Sequence, residues 1–349
     1  MFSYNKKVAD ERRDSIIDVI VSAFLETGEP VGSVYAASKC GFDISPATAR
    51  NIMRELEEDG YLFQPHISAG RIPTVKCYKY YVKYLMPQIK LEQDEIKTIT
   101  LLIENIMREN DADVFMNHIA SVLSEVTDLV GVTLSTVFEQ GIFEKIDIIN
   151  LETYKYLLVI SLKNGIVKTI NLTLDRIIPR TKTEETARLL TNRLYGLKVS
   201  EIRNTIGKRV EGVSVADRKL LDVIIDKSAR IFSFFDERNI HISGIKKLLT
   251  KPDFAVPEYY MNLIDFFEHK HELAATLKNT MGETEDVNIN IGCSDIFFSA
   301  PPLSIISATY HFGGIPGVIA VLGPTRIHYP KLFSIIKYTA SETSKYLSS

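Results

Sequence analysis

Tryptophan is absent from this chain and cysteine is nearly so, with Cys40, Cys77 and Cys293 the only three. An odd number of cysteines so far apart suggests neither a disulfide framework nor the ligand spacing of a zinc site. Long apolar runs are missing too. No segment is long and apolar enough for a membrane helix, and residues 1–15 are too charged for a signal peptide, so a cytoplasmic protein without membrane attachment is expected. Nor is there a large excess of either charge: the net charge is −3 over 349 residues, which excludes a globally basic coat for nucleic acid. That length exceeds what one core usually supports, so two or three domains are expected.

A catalytic constellation is likewise wanting. His269-Lys270-His271-Glu272 is the only dense group of possible metal ligands, but residues two apart on a helix point to different sides, so it reads as a solvated charged helix. Gly313-Gly314-Ile315-Pro316-Gly317 lacks the lysine of a phosphate loop, and Pro316 removes an amide donor, so a turn between two strands is the better reading. Ser307 and His311 have no evident third partner. No catalytic residue, cofactor or metal is assigned, and the chain is not read as an enzyme.

What the chain does contain is concentrated between Ser45 and Met86. Ser45 is placed to cap a helix, Pro46 suits its first position, and Gly60 ends it. Ala49, Ile52, Met53 and Leu56 recur at helical spacing and form a buried stripe, so Ala47, Arg50, Asn51 and Arg54 point the other way. Arginine and asparagine are the side chains that read guanine and adenine edges with paired hydrogen bonds. A short strand to Pro65, a Ser68-Ala69-Gly70 turn and Arg71 on the return give the outline of a wing. From Tyr61 to Lys90 there is no acidic residue, while Arg71, Lys76, Lys79, Lys83 and Lys90 are basic, a pattern that favours a polyanion. Tyr80, Tyr81 and Tyr84, interleaved with those lysines, have the spacing of an inward-packing helix face.

Upstream, Ile16, Ile17, Ile20, Ala23 and Phe24 form an apolar stripe that Thr27-Gly28-Glu29-Pro30 stops. A short helix capped by Ser33 and ended by Gly41 follows. Three helices and a hairpin predict a winged helix-turn-helix, in which the helix after the turn enters the major groove. The expected DNA-binding set is Ser45, Ala47, Thr48, Arg50, Asn51 and Arg54 on the recognition helix. His66, Ser68, Arg71, Lys76 and Lys79 join it from the wing and the following helix, mostly as phosphate contacts.

Beyond Pro87 the pattern changes. Leu91 to about Val130 reads as helix with a break at Asn110 to Asp113. Ile146–Ile149, Tyr156–Leu162 and Val167–Leu174 read as strands, with Asn164-Gly165 a hairpin turn. Strand character returns at Val287–Ile291 and Gly317–Leu322, before a final helix from about Lys331 to Leu347. The intervening block is mainly helical, with Leu221, Ile224, Ile225, Phe232 and Phe235 in one stripe. This arrangement predicts an α+β multidomain chain: a DNA-binding domain at 1–87, an α+β domain in two parts at 88–185 and 286–349, and a helical domain inserted at 186–285. Three domains in series fit the periodicity equally.

Several motifs carry a resemblance. TGEPVGS at Thr27–Ser33, SPAT at Ser45–Thr48, Arg50-Asn51, Leu56-Glu57, QPH at Gln64–His66 and SAGRIPT at Ser68–Thr74 resemble the HrcA family of bacterial heat-inducible transcription repressors. SGIKKLLTKPDF at Ser243–Phe254 and GPTRIHY at Gly323–Tyr329 extend the likeness across nearly the whole chain. The chain departs from the family pattern at Ala49, where a large apolar residue is usual, at Ile52, where an acidic one is usual, so that the two look exchanged by about a helical turn, and at Arg54, Ile67, Cys77, Cys293 and Ser294. The resemblance implies a GAF-like discontinuous domain, an insert that mediates homodimerisation, and an inverted-repeat operator called CIRCE upstream of chaperonin and heat-shock operons. It also implies a partner, the GroEL chaperonin, which keeps the repressor active until misfolded protein diverts it during heat stress. The alternative is a winged-helix regulator controlled by a small effector in its GAF-like domain.

Overall fold

The structure is a computed structural model that describes residues 2–106, 112–135, 140–163, 165–212, 218–232, 240–254, 257–268, 270–281, 286–293, 302–312 and 315–348. The chain begins with helices α1 (Phe2–Thr27), α2 (Ser33–Lys39) and α3 (Pro46–Glu58), then a two-stranded hairpin, β1 (Leu62–Phe63) and β2 (Ile72–Pro73), and helix α4 (Val75–Tyr80). Glycines in the left-handed region stop each of the three helices where expected: Gly28 (φ 73°), Gly41 (φ 68°) and Gly60 (φ 75°). The N-cap of α2 differs from expectation by one residue. Gly32, in an extended conformation, occupies it without a side-chain bond, and Ser33 is buried as the first helical residue. After α4 the chain continues through one π-helical turn, Tyr81–Leu85, closed by the Met86 N–H donating to the Tyr81 carbonyl at 2.8 Å.

Helices α5 (Gln93–Ile106) and α6 (Ala112–Thr127) and strand β3 (Val130–Leu134) follow. Next come β4 (Phe143–Glu152), β5 (Lys155–Leu162) and β6 (Val167–Thr173), then α7 (Arg180–Leu194), α8 (Val199–Arg209), α9 (Arg218–Asp226) and α10 (Ser228–Ile231). The chain ends with β7 (Ile240–Ser243), α11 (Ile245–Leu249), α12 (Pro257–Glu268), α13 (Lys270–Asn279), β8 (Val287–Ile291), β9 (Leu303–Phe312), β10 (Ile315–Pro324) and α14 (Tyr329–Ser348).

The strands do not sort as the sequence reading placed them. β7, β3, β10, β9 and β8, in that order, form one five-stranded antiparallel sheet, while β4, β5 and β6 form a separate three-stranded sheet. The three-stranded sheet shares its core with the helices after it: Phe143, Tyr156, Leu158 and Ile160 pack with Leu190, Ile202, Leu221, Ile224 and Phe232. The expected boundaries at 185/186 and 285/286 do not coincide with this change of sheet and core. The described residues of 186–285 are mainly helical, as read, but the chain leaves the five-stranded sheet after Leu134 and returns at Ile240, and the segment between holds β4–β6 as well as α7–α10. Strand character alone does not reveal a strand's partner, and β4–β6 pair locally through hairpins, as the Asn164-Gly165 signal allows. Phe235 and Asn164 lie outside the described residues, and Ile225 is only half-buried.

Both faces of the five-stranded sheet are covered. Val130, Val132, Leu303, Ile305, Val318, Ala320 and Leu322 face a core with Leu248, Phe254, Leu263, Phe266 and Leu277 from the 245–279 helices. Ile306, Ala308, Tyr310, Ile319 and Val321 face the other way, into a core with α5, α6 and α14. That second core is continuous with the N-terminal helices, through Ile16, Ile20, Met53, Leu56, Cys77, Tyr78 and Tyr81. The boundary expected near residue 87 is thus a change of architecture but not a break in packing.

Close approach fixes one sheet position. At Gly131 of β3 a Cβ would collide with the Ala120 carbonyl of α6, so only glycine lets helix and strand lie together. Gly207 of α8 contrasts with it, since a Cβ there would meet Ile225 at an ordinary 3.7 Å. Gly131→Ala is expected to lower stability by about 1–3 kcal/mol through overpacking. Gly207→Ala is expected to raise it by up to about 1 kcal/mol through helix propensity. Urea denaturation of the two variants, read against the unsubstituted chain, checks both signs.

Candidate nucleic-acid interface

α3 is built as its sequence implies. Ser45 is its N-cap, accepting from the Thr48 N–H at 3.1 Å, and the Ser45 and Thr48 hydroxyls pair at 3.0 Å. Ala49, Met53 and Leu56 are buried and Ile52 is half-buried, so the exchange at 49 and 52 is absorbed in the packed face. Ala47, Thr48, Arg50, Asn51 and Arg54 are exposed on the opposite side. Arg54 lies 3.7 Å from Glu58, one turn on. Arg50 and Asn51 have no side-chain partner among the described residues, which leaves their donors available.

The hairpin is pinned from two sides. Val31 and Arg71 form an isolated antiparallel bridge with both backbone bonds at 2.9 Å, so the segment after α1 adds to the hairpin edge. Gly70 makes this possible, because a Cβ there would run into the Val31 backbone. At the tip, the Ala69 N–H donates to the His66 carbonyl at 2.9 Å, and the Gln64 amide donates to the Ile67 and Ala69 carbonyls at 3.1 and 2.8 Å. His66, Ile67 and Ser68 are held exposed on this turn.

Two expected contact residues are otherwise engaged. Arg71, with its side chain only 12% exposed, donates to Glu57 at 2.9 Å and so ties the hairpin to α3. Lys76 donates to the Asp59 carbonyl at 2.6 Å and lies 4.4 Å above the Tyr61 ring, closing the end of α3. Lys79 is exposed with no partner among the described residues. Of the tyrosines expected to pack inward, Tyr81 is buried and Tyr80 is half-buried with its hydroxyl donating to Asp14 at 2.7 Å, but Tyr84 is 62% exposed. Sequence reasoning missed the anchoring roles of Val31, Glu57 and Gln64. Their presence inside the TGEPVGS, LE and QPH motifs was the available signal.

The other candidates take structural places. Ser307, buried on β9, donates to the Thr280 hydroxyl at 2.9 Å, and the His311 N–H donates to the Ser344 hydroxyl at 3.0 Å. The turn expected at Gly313 and Gly314, like His269, lies outside the described residues. Among the described residues, no three His, Cys, Asp or Glu side chains gather as a metal site, and no helix is long and apolar enough to cross a membrane.

A capped helix presenting arginine and asparagine is braced by a short hairpin and fused to a larger sheet-built body. Comparison with known proteins gives the class of such a chain as a transcription repressor. Residues 113–333 match the family described as HrcA protein C terminal domain. Over 351 residues the chain is 33% identical to the heat-inducible transcription repressor HrcA of Chlorobium phaeobacteroides, covering 97% of both. It is 35% identical to the protein of that name from Chlorobium luteolum, covering 94% of this chain and 95% of that one. A crystal structure described as a hypothetical protein at 2.2 Å resolution shares the fold, with a TM-score of 0.53 at 19% identity over 97% of this chain and 98% of the other. The chain belongs to the HrcA family of heat-inducible transcription repressors.

Because Arg71 and Glu57 brace the hairpin together, their losses are expected not to add. Arg71→Ala and Glu57→Ala should each cost about 1 kcal/mol, and the double variant little more than either. Melting of the three variants measures this coupling, and strict additivity would show that the pair does not anchor the hairpin.

Proposed function

We propose that residues 1–87 form a winged helix-turn-helix that reads an inverted-repeat operator, the CIRCE element of heat-shock and chaperonin operons, with one α3 helix in each half-site of a dimer. The observation that carries this reading is the pair Arg50 and Asn51, exposed and unengaged on the outer face of a capped helix. Ser45, Ala47, Thr48 and Arg54 flank them, while His66, Ser68 and Lys79 are the hairpin and α4 groups free to meet phosphates. Arg71 and Lys76 support the interface by holding the hairpin and the end of α3. The five-stranded sheet body is read as GAF-like. Dimerisation is assigned to the unit from Phe143 to Phe232, whose core is separate from the other two and whose sheet has β4 and β6 at its edges. The repressor acts in the cytoplasm, kept active by the GroEL chaperonin and lost on heat stress.

Arg50→Ala is expected to cost about 1–3 kcal/mol of discrimination between operator and random DNA, as the loss of a paired base contact. Equal weakening on both sequences would make Arg50 a phosphate contact instead. Lys79→Ala should weaken both alike and reduce the log–log salt slope by about 0.9. For the chaperonin, operator occupancy is followed after a heat pulse with GroEL added or withheld. Recovery is expected only with GroEL, because a chain with many long-range contacts refolds through exposed intermediates. Rapid full recovery without it would remove the chaperonin from the mechanism.

A further inference from the structure

The two C-terminal motifs, SGIKKLLTKPDF and GPTRIHY, are unused by the DNA-binding reading, yet they meet. A cleft of about 360 Å³ opens between the end of α6, the Lys251–Asp253 loop and the segment joining β10 to α14. That volume lies within the range of small-molecule sites. Its apolar lining includes Leu129, Ile327, Leu332 and Ile335, and its polar lining includes Lys251, Asp253, Arg326, His328 and Lys331.

The cations differ in how they are used. Lys251 pairs with Asp128, and Lys331 with Glu95 at 2.5 Å. Arg326, half-buried, makes no hydrogen bond or ion pair among the described residues. Its guanidinium lies 6.0 Å from the Phe24 ring centroid, and one of its nitrogens is 2.9 Å from where a Cβ on Gly28 would stand, at the end of α1. Asp253 lines the same cleft without pairing with it. Next to them Tyr78, from α4, is 2% exposed, its ring is 5.7 Å from that of Tyr329, and its hydroxyl has no hydrogen-bond partner. Arg326 and Asp253 both act on the Tyr78 phenol through their charge, while burial is the larger cause of its raised pKa. The positive end of α14 also begins here, with the Lys331 N–H donating to His328 Nδ1 at 3.3 Å.

We propose that this cleft binds a small monocarboxylate with an apolar tail, the carboxylate on Arg326 beside Lys331 and the tail against Leu129, Ile327, Leu332 and Ile335. A half-buried guanidinium without a carboxylate is matched by an anion that brings one. Asp253 disfavours a second negative charge, which selects a monoanion. Arg326 also touches the end of α1, so an anion that draws it into the cleft withdraws a cation from that helix terminus. The ligand thereby shifts the N-terminal unit on the sheet body and changes operator affinity. This coupling rests on the DNA-binding reading, whereas the binding itself does not.

Calorimetry on the full chain with sodium hexanoate as probe tests the site, with hexanol and adipate as comparisons. Hexanoate should bind saturably, and hexanol and adipate about tenfold more weakly or less. Arg326→Gln should lose about tenfold in affinity and Arg326→Lys less. Should Arg326→Gln fail to fold, Lys331→Gln is expected to weaken hexanoate, and the His328 imidazole proton signals of the unsubstituted protein should shift on its addition. No saturable binding, equal binding of hexanol, tighter binding of adipate, or full binding by the Arg326→Gln and Lys331→Gln variants would overturn the site. Hexanoate should change operator affinity at least about threefold in the unsubstituted protein. Binding without that change overturns the coupling alone, and a chain that takes hexanoate but no operator overturns the DNA reading instead.

Discussion

The β9–β10 hairpin at the middle of the larger sheet is the constraint on which the rest depends, because it is buried on both faces. Strand side chains alternate, so one hairpin must serve two cores at once. Leu303 and Ile305 with Val318, Ala320 and Leu322 serve the first, and Ile306, Ala308 and Tyr310 with Ile319 and Val321 the second. The polar residues among them are paired: Ser304 with the Tyr329 hydroxyl at 2.9 Å, and Ser307 with Thr280 at 2.9 Å. The second core runs on into the N-terminal helices, so the N-terminal unit is fused to the sheet rather than tethered to it. Cys77 sits in that continuous core, and burial raises its thiol to about 12, which removes it from thiolate chemistry.

The proposed interface depends on the disposal of acids as much as on the display of bases. The last turn of α3 and its C-cap carry Glu55, Glu57, Glu58 and Asp59, which sit badly at the negative end of a helix and would sit badly beside the polyanion proposed as ligand. Three of them are partnered: Glu57 by Arg71 at 2.9 Å, Glu58 by Arg54 at 3.7 Å and Asp59 by Arg13 at 2.7 Å. The Lys76 bond to the Asp59 carbonyl adds a cation at the same terminus. At Glu57 the hairpin anchor and the masking of acidic charge are one interaction. A chain with a net charge of −3 can then present a locally positive surface, at the N-terminal half of α3 and on Lys79.

α3 was legible in the sequence because its signals are local: a cap, a proline, an apolar stripe and a terminating glycine within one segment. The fate of Arg71 was not, since a basic residue on a wing looks the same whether it faces DNA or a glutamate 14 positions back. β3 went unread, and β9 was implied only by the turn after it, for a different reason. Buried on both faces, they lack the alternation that marks a half-exposed strand, and β3 is buried at every position. β4–β6 were recognised as strands, but pairing between distant segments leaves no local trace, so their separation into a second sheet was visible only in three dimensions. The cleft at Arg326 belongs to the same class, being assembled from segments far apart in the chain.

The two attachments to the sheet body differ in kind, and this bears on how the molecule can respond. The unit between Phe143 and Phe232 leaves from β3 and returns into β7, which are paired neighbours, with Leu134 opposite Ile240 and Gly131 opposite Ser243. Its ends are therefore held together by the sheet, and its own core is separate. Such a neck lets the unit fold around its local hairpins without strain on the body, since closing a longer loop adds little entropy cost. The N-terminal unit has no such freedom. Tyr78 meets Tyr329, and Arg326 reaches Phe24 and Gly28, so the GPTRIHY segment touches two of its helices at once. If the neck-held unit joins two copies, as proposed, then changes at the neck alter the spacing of the two α3 helices. Changes at Arg326 instead alter how each α3 is presented within its own protomer, so operator binding can be tuned independently at the two places.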